Sequence, residues 1–274
     1  MNHVRALVLA SHPGPSLFIT AMATLLAVEA APHGIGPVLT GPAMLAGQLS
    51  IGWSNDACDA RRDAATGRTD KPVAAGAISV GTVWTAAVVS VLAGFGMALA
   101  IGVLTALIYT VIIVAAWAYN LGLKSTVWSG LMYLAGFGPI PAYAASTLPG
   151  HPAPRWPVTV AAALVGLGGH FANVLPDLAG DKVTGVEGLP QRVAARWGPA
   201  AVRAVALVLL LTASVLLVVV ASDSRRWVAV AGLVAAVALA VIGARGTGRV
   251  PFYAALGIAA IDVLLFLAGG EALT

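Results

Sequence analysis

The stretch Asn55-Asp56-Ala57-Cys58-Asp59-Ala60-Arg61-Arg62-Asp63 places one amide and three carboxylates on an otherwise apolar chain. Its N-x3-D-x3-D spacing recurs 118 positions later, at Asn173, Asp177 and Asp181. Matching residues follow both copies at the same offset: Thr66 with Thr184, Gly67 with Gly185, and Pro72 with Pro190. The chain has only 11 acidic residues in 274 positions, so this regular placement predicts one site built from two related halves.

The composition indicates an integral membrane protein. Hydrophobic residues make up 59% of the chain and charged residues 9%, whereas a soluble protein carries roughly 25% charged residues. Apolar runs of about 20 residues can cross a bilayer as helices, whose backbone groups are hydrogen-bonded internally. The single cysteine, Cys58, excludes an intrachain disulfide. The net charge of +4 does not indicate nucleic-acid binding, because the basic residues cluster in the links between apolar segments.

The sequence predicts an all-α integral membrane fold of nine transmembrane helices in a single domain, residues 1–274. Links rich in Pro and Gly, such as Gly34-Ile35-Gly36-Pro37, separate the apolar segments. The segments comprise roughly residues 16–33, 38–54, 77–98, 101–119, 127–146, 157–176, 201–221, 227–244 and 252–270. Two cap loops, at about residues 55–76 and 177–200, follow the second and sixth segments.

The basic residues predict the orientation in the membrane. With nine spans, the N-terminus and the links after spans two, four, six and eight share one side. That side holds Arg5, Arg61, Arg62, Arg68, Lys71, Lys124, Lys182, Arg192, Arg196, Arg203, Arg245 and Arg249. Because basic links stay inside, this side, with the N-terminus and both acidic motifs, is predicted to be cytoplasmic, in the cell inner membrane. The two motifs lie four helices apart, and helices separated by four positions run in the same direction across the membrane. The sequence therefore predicts two parallel repeats of four helices each, followed by one additional helix.

Each copy of the motif predicts a cluster of oxygen ligands on a helix face. Residues three, four and seven positions apart share one face, and clustered carboxylates at a membrane boundary need a cation. Oxygen ligands favour Mg²⁺, which proteins hold with a few carboxylates and substrate phosphates. Nearby basic residues that can neutralise a phosphate are Arg68, Lys71, Lys124, Lys182 and Arg192. The predicted ligand is therefore a lipid diphosphate whose tail lies among the helices.

Other interpretations of these residues are open. Any single acidic residue of the motifs can be solvated or can cap a helix. A divalent-cation transporter could use the carboxylates, but the surrounding basic residues favour an anionic ligand. His170 and Asn173 precede the second motif on its face, where they contact either an acceptor or neighbouring helices. Asp262, within the ninth segment, is either a functional carboxylate or a packing residue.

The first motif resembles the N-D-x2-D-x3-D signature of the UbiA superfamily of membrane prenyltransferases. Asp177-Leu178-Ala179-Gly180-Asp181 is similar to the second motif of that family, D-x3-D. The resemblance covers nearly the whole chain, including the positions of both motifs and the charged cap loops. It implies an enzyme that uses Mg²⁺ and an isoprenyl diphosphate.

The resemblance also implies residue roles. It implies that Mg²⁺ on the diphosphate is bound by Asn55, Asp59, Asp177 and Asp181, with Asp56 and Asp63 in support. The stretch from Tyr119 to Lys124 is similar to a Tyr…Lys element on the fourth helix of the family, which implies that Lys124 contacts the diphosphate. Asp177 is expected to orient or deprotonate the acceptor, and the implied catalytic set is Asp177, Asp181, Lys124 and Tyr119.

The implied reaction begins with ionisation of the allylic C–O bond, while Mg²⁺ and basic residues stabilise the departing diphosphate. An apolar pocket limits attack by water, and a lipophilic acceptor, expected to be aromatic, captures the cation. Terpene cyclisation and phosphoribosyl transfer to a lipid phosphate are alternatives within the superfamily. Segments of the chain outside the repeated motif are expected to determine which of these reactions occurs: Ser11–Pro15, the Tyr119–Lys124 link, His170 and Asp262.

Overall fold

The computed structural model describes residues 2–30 and 34–268. These residues form thirteen α-helices and one 3-10 helix, without a β-strand. The helices are α1 (His3–Ala10), α2 (Pro13–Ala30), α3 (Ile35–Ala65), α4 (Val80–Ile101), α5 (Val103–Asn120), the 3-10 helix (Leu123–Ser125), α6 (Ser129–Phe137), α7 (Ile140–Ala145), α8 (Trp156–Val174), α9 (Leu178–Thr184), α10 (Leu189–Trp197), α11 (Pro199–Val220), α12 (Arg226–Arg245) and α13 (Val250–Ala268). The predicted all-helical fold is confirmed.

Each of the nine predicted apolar segments overlaps at least one helix. The segment predicted at 127–146 contains two helices, α6 and α7, because Pro139 lies between them and cannot continue the backbone hydrogen bonds. The last residues of two predicted segments, 31–33 and 269–270, lie outside the described residues.

The structure supports an integral membrane protein but not a definite number of spans. Five helices of the described part are long and apolar enough to cross a bilayer: α4, α5, α8, α11 and α12. A sixth span results if α1 and α2 count as one helix bent by 59°. α3 falls outside this set although it is long, and α13 is a shorter apolar helix. The number of nine therefore stays a prediction.

The two copies of the motif have different local structures. α3 continues to Ala65, so residues 55–63 lie on one unbroken helix. α8 ends at Val174, Pro176 follows, and Asp177 directly precedes the separate helix α9. The equal spacing predicted two equal helical faces, and the proline explains why the second copy is divided.

Small residues allow close approach between the helices that carry the motifs and their neighbours. A Cβ added at Gly94 of α4 would overlap the Tyr109 hydroxyl and lie 2.9 Å from the carbonyl oxygen of Ala43 on α3. A Cβ at Gly168 of α8 would lie 2.8 Å from the side chain of Leu210 on α11. Membrane helices commonly pack through such small residues, and here the packing fixes α3 and α8.

Gly94→Ala is expected to destabilise the protein by about 1–3 kcal/mol, because the added methyl forces Tyr109 and α3 away from α4. Gly96→Ala on the same helix is the control, since no atom lies within 4 Å of a Cβ at that position. Thermal unfolding of the purified variants in detergent measures the difference. Equal stability of the two variants would contradict the close packing of α4.

Candidate active site

The last turns of α3 bury three carboxylates. Asp56, Asp59 and Asp63 are 2%, 6% and 6% exposed. Their spacing places them on one helix face, where buried carboxylates require cationic or hydrogen-bonding partners. Burial raises the pKa of the Asp63 carboxyl above its ordinary value. The end of α3 therefore favours positive charge in its surroundings.

Asp59 is held between two basic side chains. The Lys124 ammonium contacts Oδ1 of Asp59, and Arg62 Nη2 lies 2.9 Å from Oδ2. Lys124 belongs to the 3-10 helix that follows α5. The Lys124 and Asp59 side chains are only 11% and 8% exposed, so this ion pair joins α3 to the link after α5 in a largely buried position.

Asn55 is held by an asparagine that was not among the predicted residues. Asn55 Nδ2 donates to Asn120 Oδ1 at 3.2 Å. Asn120 Nδ2 in turn donates to Ser54 Oγ at 2.8 Å and to the Ile51 carbonyl at 3.0 Å. These bonds occupy the nitrogen of the Asn55 side chain, so its oxygen is the atom that can bind a cation. Asn120 is adjacent to Tyr119 in sequence, but spacing gives no signal for a contact between α5 and α3.

The cations that pair with the first motif act on the second through their charge. Asp177 is exposed at the start of α9, and Asp181, one turn later, accepts a hydrogen bond from Gln191 Nε2 at 2.7 Å. Burial raises the pKa of the Asp181 carboxyl, and the charges of Arg62 and Lys124 oppose this shift. The same two cations contact the carboxylate at the centre of the first motif. The end of α3 and α9 therefore lie in one electrostatic site.

Three of the predicted diphosphate ligands are more exposed. Arg68 donates to both carboxylate oxygens of Asp70 at 2.9 Å, and this pairing lowers the pKa of Asp70 to about 2. Arg192 Nη2 lies 3.4 Å from Glu187 Oε2, and Lys182 is exposed. Arg68 and Arg192 are thus already paired with acidic residues, a competition that the sequence-based prediction did not include.

Lys71 contacts the first motif directly. Its Nζ lies 2.6 Å from Oδ1 of Asp56 and 3.1 Å from Nε2 of His12. His12 Nε2 donates to the same carboxylate oxygen at 2.9 Å. His12 was not among the predicted metal or diphosphate ligands: the stretch Ser11–Pro15 was expected only to influence the choice of reaction, and 44 positions separate His12 from Asp56.

An aromatic cluster adjoins the carboxylates. Tyr133 stacks on His170 with ring centroids 4.3 Å apart, and Tyr119 packs edge-on against both rings. Phe137 extends the stack on the far side of Tyr133. Tyr119 also directly precedes Asn120, whose side chain is hydrogen-bonded to Asn55 of the first motif. The charged site and the aromatic cluster therefore meet at Tyr119.

Hydrogen bonds between helices hold His170. His170 is 1% exposed, and its Nε2 lies 3.0 Å from Ser129 Oγ on α6. Ser129 Oγ also accepts the backbone N–H of Leu189, the first residue of α10, at 2.8 Å. His170 therefore contacts a neighbouring helix, which was one of its two interpretations. Its ring also forms part of the aromatic cluster. Asn173, the other predicted pocket residue, is exposed.

Asp262 has a packing contact. It is 0% exposed, and Ser214 Oγ on α11 lies 2.5 Å from its Oδ1. This hydrogen bond joins α13 to α11, so the structure favours the packing interpretation of this carboxyl group.

The acidic motifs fit a hard cation by the chemistry of their donors. Within residues 2–30 and 34–268, no group of three or more His, Cys, Asp or Glu side chains is arranged to hold a metal ion. The donors at both motifs are all oxygens, and Lys and Arg side chains pair with the carboxylates of the first motif. Oxygen donors of this kind suit Mg²⁺. The predicted ligands remain Asn55, Asp56, Asp59, Asp63, Asp177 and Asp181.

The sequence profile of the UbiA prenyltransferase family matches residues 16–267. The chain belongs to the UbiA prenyltransferase family. The resemblance inferred from the two motifs is therefore confirmed. No protein of curated function matches this UbiA chain by sequence.

Solved structures of UbiA homologues share the fold. A homologue from Archaeoglobus fulgidus bound to GPP and Mg²⁺ has a TM-score of 0.73 at 16% identity, covering 98% of this chain and 99% of that one. The structure from the same organism bound to DMAPP and Mg²⁺ has a TM-score of 0.72 at 17% identity, with 97% and 98% covered. A structure of digeranylgeranylglyceryl phosphate synthase has a TM-score of 0.69 at 13% identity, with 97% and 98% covered. At these identities the likeness establishes the UbiA fold alone.

Lys124→Met is expected to lower the free energy of unfolding by about 1–3 kcal/mol, because it leaves the buried Asp59 carboxylate with one cation fewer. Lys182→Met, at an exposed position, is the control. The double variant Asp59→Asn with Lys124→Met is expected to recover part of the loss, which thermal unfolding in detergent measures. Strictly additive effects of the two substitutions would contradict the ion pair.

Proposed function

We propose that this UbiA-family chain is a Mg²⁺-dependent intramembrane prenyltransferase that ionises an isoprenyl diphosphate and transfers the prenyl group to an aromatic, lipophilic acceptor. One observation carries the proposal. Lys124 and Arg62 contact the buried Asp59, and Lys124 lies on the link directly after the helix end that carries Tyr119 of the aromatic cluster. The complexes of the Archaeoglobus fulgidus homologue with GPP or DMAPP and Mg²⁺ support the same ligand class.

The charged part of the site suits a diphosphate bound through a divalent cation. The carboxylates of Asp59, Asp177 and Asp181 and the amide oxygen of Asn55 would hold Mg²⁺, with Asp63 in support. When bound there, Mg²⁺ supplies Lewis-acid stabilisation of the leaving diphosphate. Lys124, together with the guanidinium of Arg62 beside it, is placed to bind phosphate oxygens, and guanidinium groups do so in a bidentate manner. Lys182, Arg68 and Arg192 lie at the exposed rim, where a phosphate would compete with Asp70 and Glu187 for the two arginines.

An apolar crevice lies next to the aromatic cluster. Phe137, which stacks on Tyr133, lines this crevice together with residues of α2, α7, α8 and α13 that include Met22, Ile140 and Phe266. We expect the prenyl chain of a diphosphate held near Lys124 to lie along the aromatic rings toward these apolar side chains.

The aromatic and acidic residues have distinct parts in the proposed reaction. Tyr119 and Tyr133 shield the ionised prenyl group from water, which limits its hydrolysis. Asp177 is exposed at the start of α9, where it can orient the acceptor or remove its proton, and His170 and Asn173 lie on the adjoining helix α8. The distribution of basic residues further supports nine spans with the N-terminus and the site on the cytoplasmic side of the inner membrane.

The reaction itself provides the first test. Purified protein is incubated with Mg²⁺ and a series of isoprenyl diphosphates that includes GPP and DMAPP, first alone and then with aromatic acceptors. We expect diphosphate release and a prenylated product only after an acceptor is added, and loss of both on chelation of Mg²⁺. A cyclic hydrocarbon formed without acceptor would instead identify a cyclase, and turnover of a phosphoribosyl donor with a lipid phosphate would identify the third reaction class. Absence of metal-dependent turnover or binding with every isoprenyl diphosphate would contradict the proposal.

Asp59→Asn and Asp177→Asn test whether both motifs contribute to one site. Each is expected to lower kcat/KM by at least about 100-fold, because each removes a charge that the metal-bound diphosphate requires. Asp223→Asn is the matched control, since the Asp223 side chain is 92% exposed and lies outside both motifs. Normal activity of either motif variant, with the fold intact by thermal unfolding, would exclude a metal site built from two halves.

A further inference from the structure

The break between α1 and α2 is fitted closely to α3. A Cβ at Gly52 would overlap the carbonyl oxygen of Ser11, so only glycine permits this approach. The next residue of α3, Trp53, donates from Nε1 to the carbonyl of Leu7 at 2.8 Å. These two contacts fix the end of α1 about one helical turn before the first carboxylate of α3.

His12 has a strained backbone at this break. Its φ of +52° lies in the left-handed region, which non-glycine residues rarely adopt. Such conformations persist where the surrounding structure holds them, and they are concentrated at functional sites. Here the side chain of His12 is held by Asp56, so the unusual backbone directs the imidazole toward the first motif.

Asp56 connects three separate segments of the chain. Its Oδ1 lies 2.9 Å from His12 Nε2, at the α1–α2 break, and 2.6 Å from Lys71 Nζ, in the segment 66–79 that follows α3. The two nitrogen atoms are themselves 3.1 Å apart. The Asp56 side chain is 1% exposed, and its charge is matched by a lysine whose side chain is 16% exposed. Asp59 differs, because its partners come from α3 and from the link after α5.

We propose that His12 is a positioning residue: together with Lys71 it holds Asp56 as an anchor that fixes the segment 66–79 beside the diphosphate site. Asp56 then belongs to this anchor rather than to the metal ligands, and Lys71 binds Asp56 rather than the diphosphate. The proposal rests on the proposed function for its effect on substrate, but the anchor itself is a property of the chain. Loss of the anchor releases the segment that carries Arg68 and so weakens diphosphate binding.

Hydrogen exchange of the full-length protein tests the anchor without requiring turnover. Reporter amides are those of Ala75 and Ala77, which donate to the carbonyls of Lys71 and Pro72 at 2.9 Å. His12→Met and His12→Gln form a matched pair of equal length, of which only Gln keeps a donor for Asp56. Exchange in segment 66–79 is expected to be about tenfold faster in His12→Met than in the wild-type protein, and His12→Gln is expected to restore most of the protection.

Kinetic measurements then separate the anchor from the metal ligands. His12→Met is expected to raise KM for the isoprenyl diphosphate about tenfold, with kcat changed by less than about threefold. His12→Gln is expected to return KM close to the wild-type value. Asp56→Asn is expected to leave the Mg²⁺ concentration for half-maximal activity unchanged, whereas Asp59→Asn raises it. Lys71→Met and Lys71→Gln form a second matched pair, at the other residue that contacts Asp56. This pair provides the same test if a His12 variant does not fold.

Two results would overturn the proposal. Equal exchange in the Met and Gln variants would show that the contact with Asp56 does not hold the segment. A rise in the Mg²⁺ requirement of Asp56→Asn as large as that of Asp59→Asn would return Asp56 to the metal ligands. If the wild-type protein turned over no isoprenyl diphosphate, the proposed function would fail, while the exchange data would still decide whether the anchor exists.

Discussion

Carboxylates buried at the boundary of a membrane must be neutralised, and much of the structure around α3 follows from this requirement. An unpaired buried charge costs several kcal/mol, and two of the three carboxylates at the end of α3, Asp56 and Asp59, pair with a basic residue from outside the helix. Lys124 comes from the link after α5, and Lys71 comes from the segment after α3 itself. The neutralisation of charge thereby positions loops that hydrophobic packing alone would leave undetermined.

The parts of the fold that depend on local sequence could be predicted. Apolar runs predicted the helices, and the helical period predicted that Asp56, Asp59 and Asp63 share a face, because both signals lie within one helix. The division of the second motif depends on Pro176, whose effect is local and could have been predicted with it. The equal spacing of the two motifs did not convey the difference in their backbone geometry, and the metal-binding role that it predicted stays a prediction.

The contacts that complete the site could not be predicted, because they join residues far apart in sequence. Asn120 reaches Ser54 across 66 positions, and no spacing rule relates residues on two different helices. Gln191 is separated from Asp181 by the turn between α9 and α10, whose direction depends on packing. The pairing of the more exposed Arg68 with Asp70, two residues away, was accessible from the sequence, since opposite charges so close together commonly pair.

Ser129 has a mechanical consequence for the molecule. Its hydroxyl oxygen binds the first residue of α10 and also meets the imidazole of His170, which forms one wall of the aromatic stack. Any outward swing of α10 that breaks the bond from Leu189 therefore alters the support of that wall at the same moment. The position of α10 and the packing of the aromatic cluster are thus coupled through a single hydroxyl group.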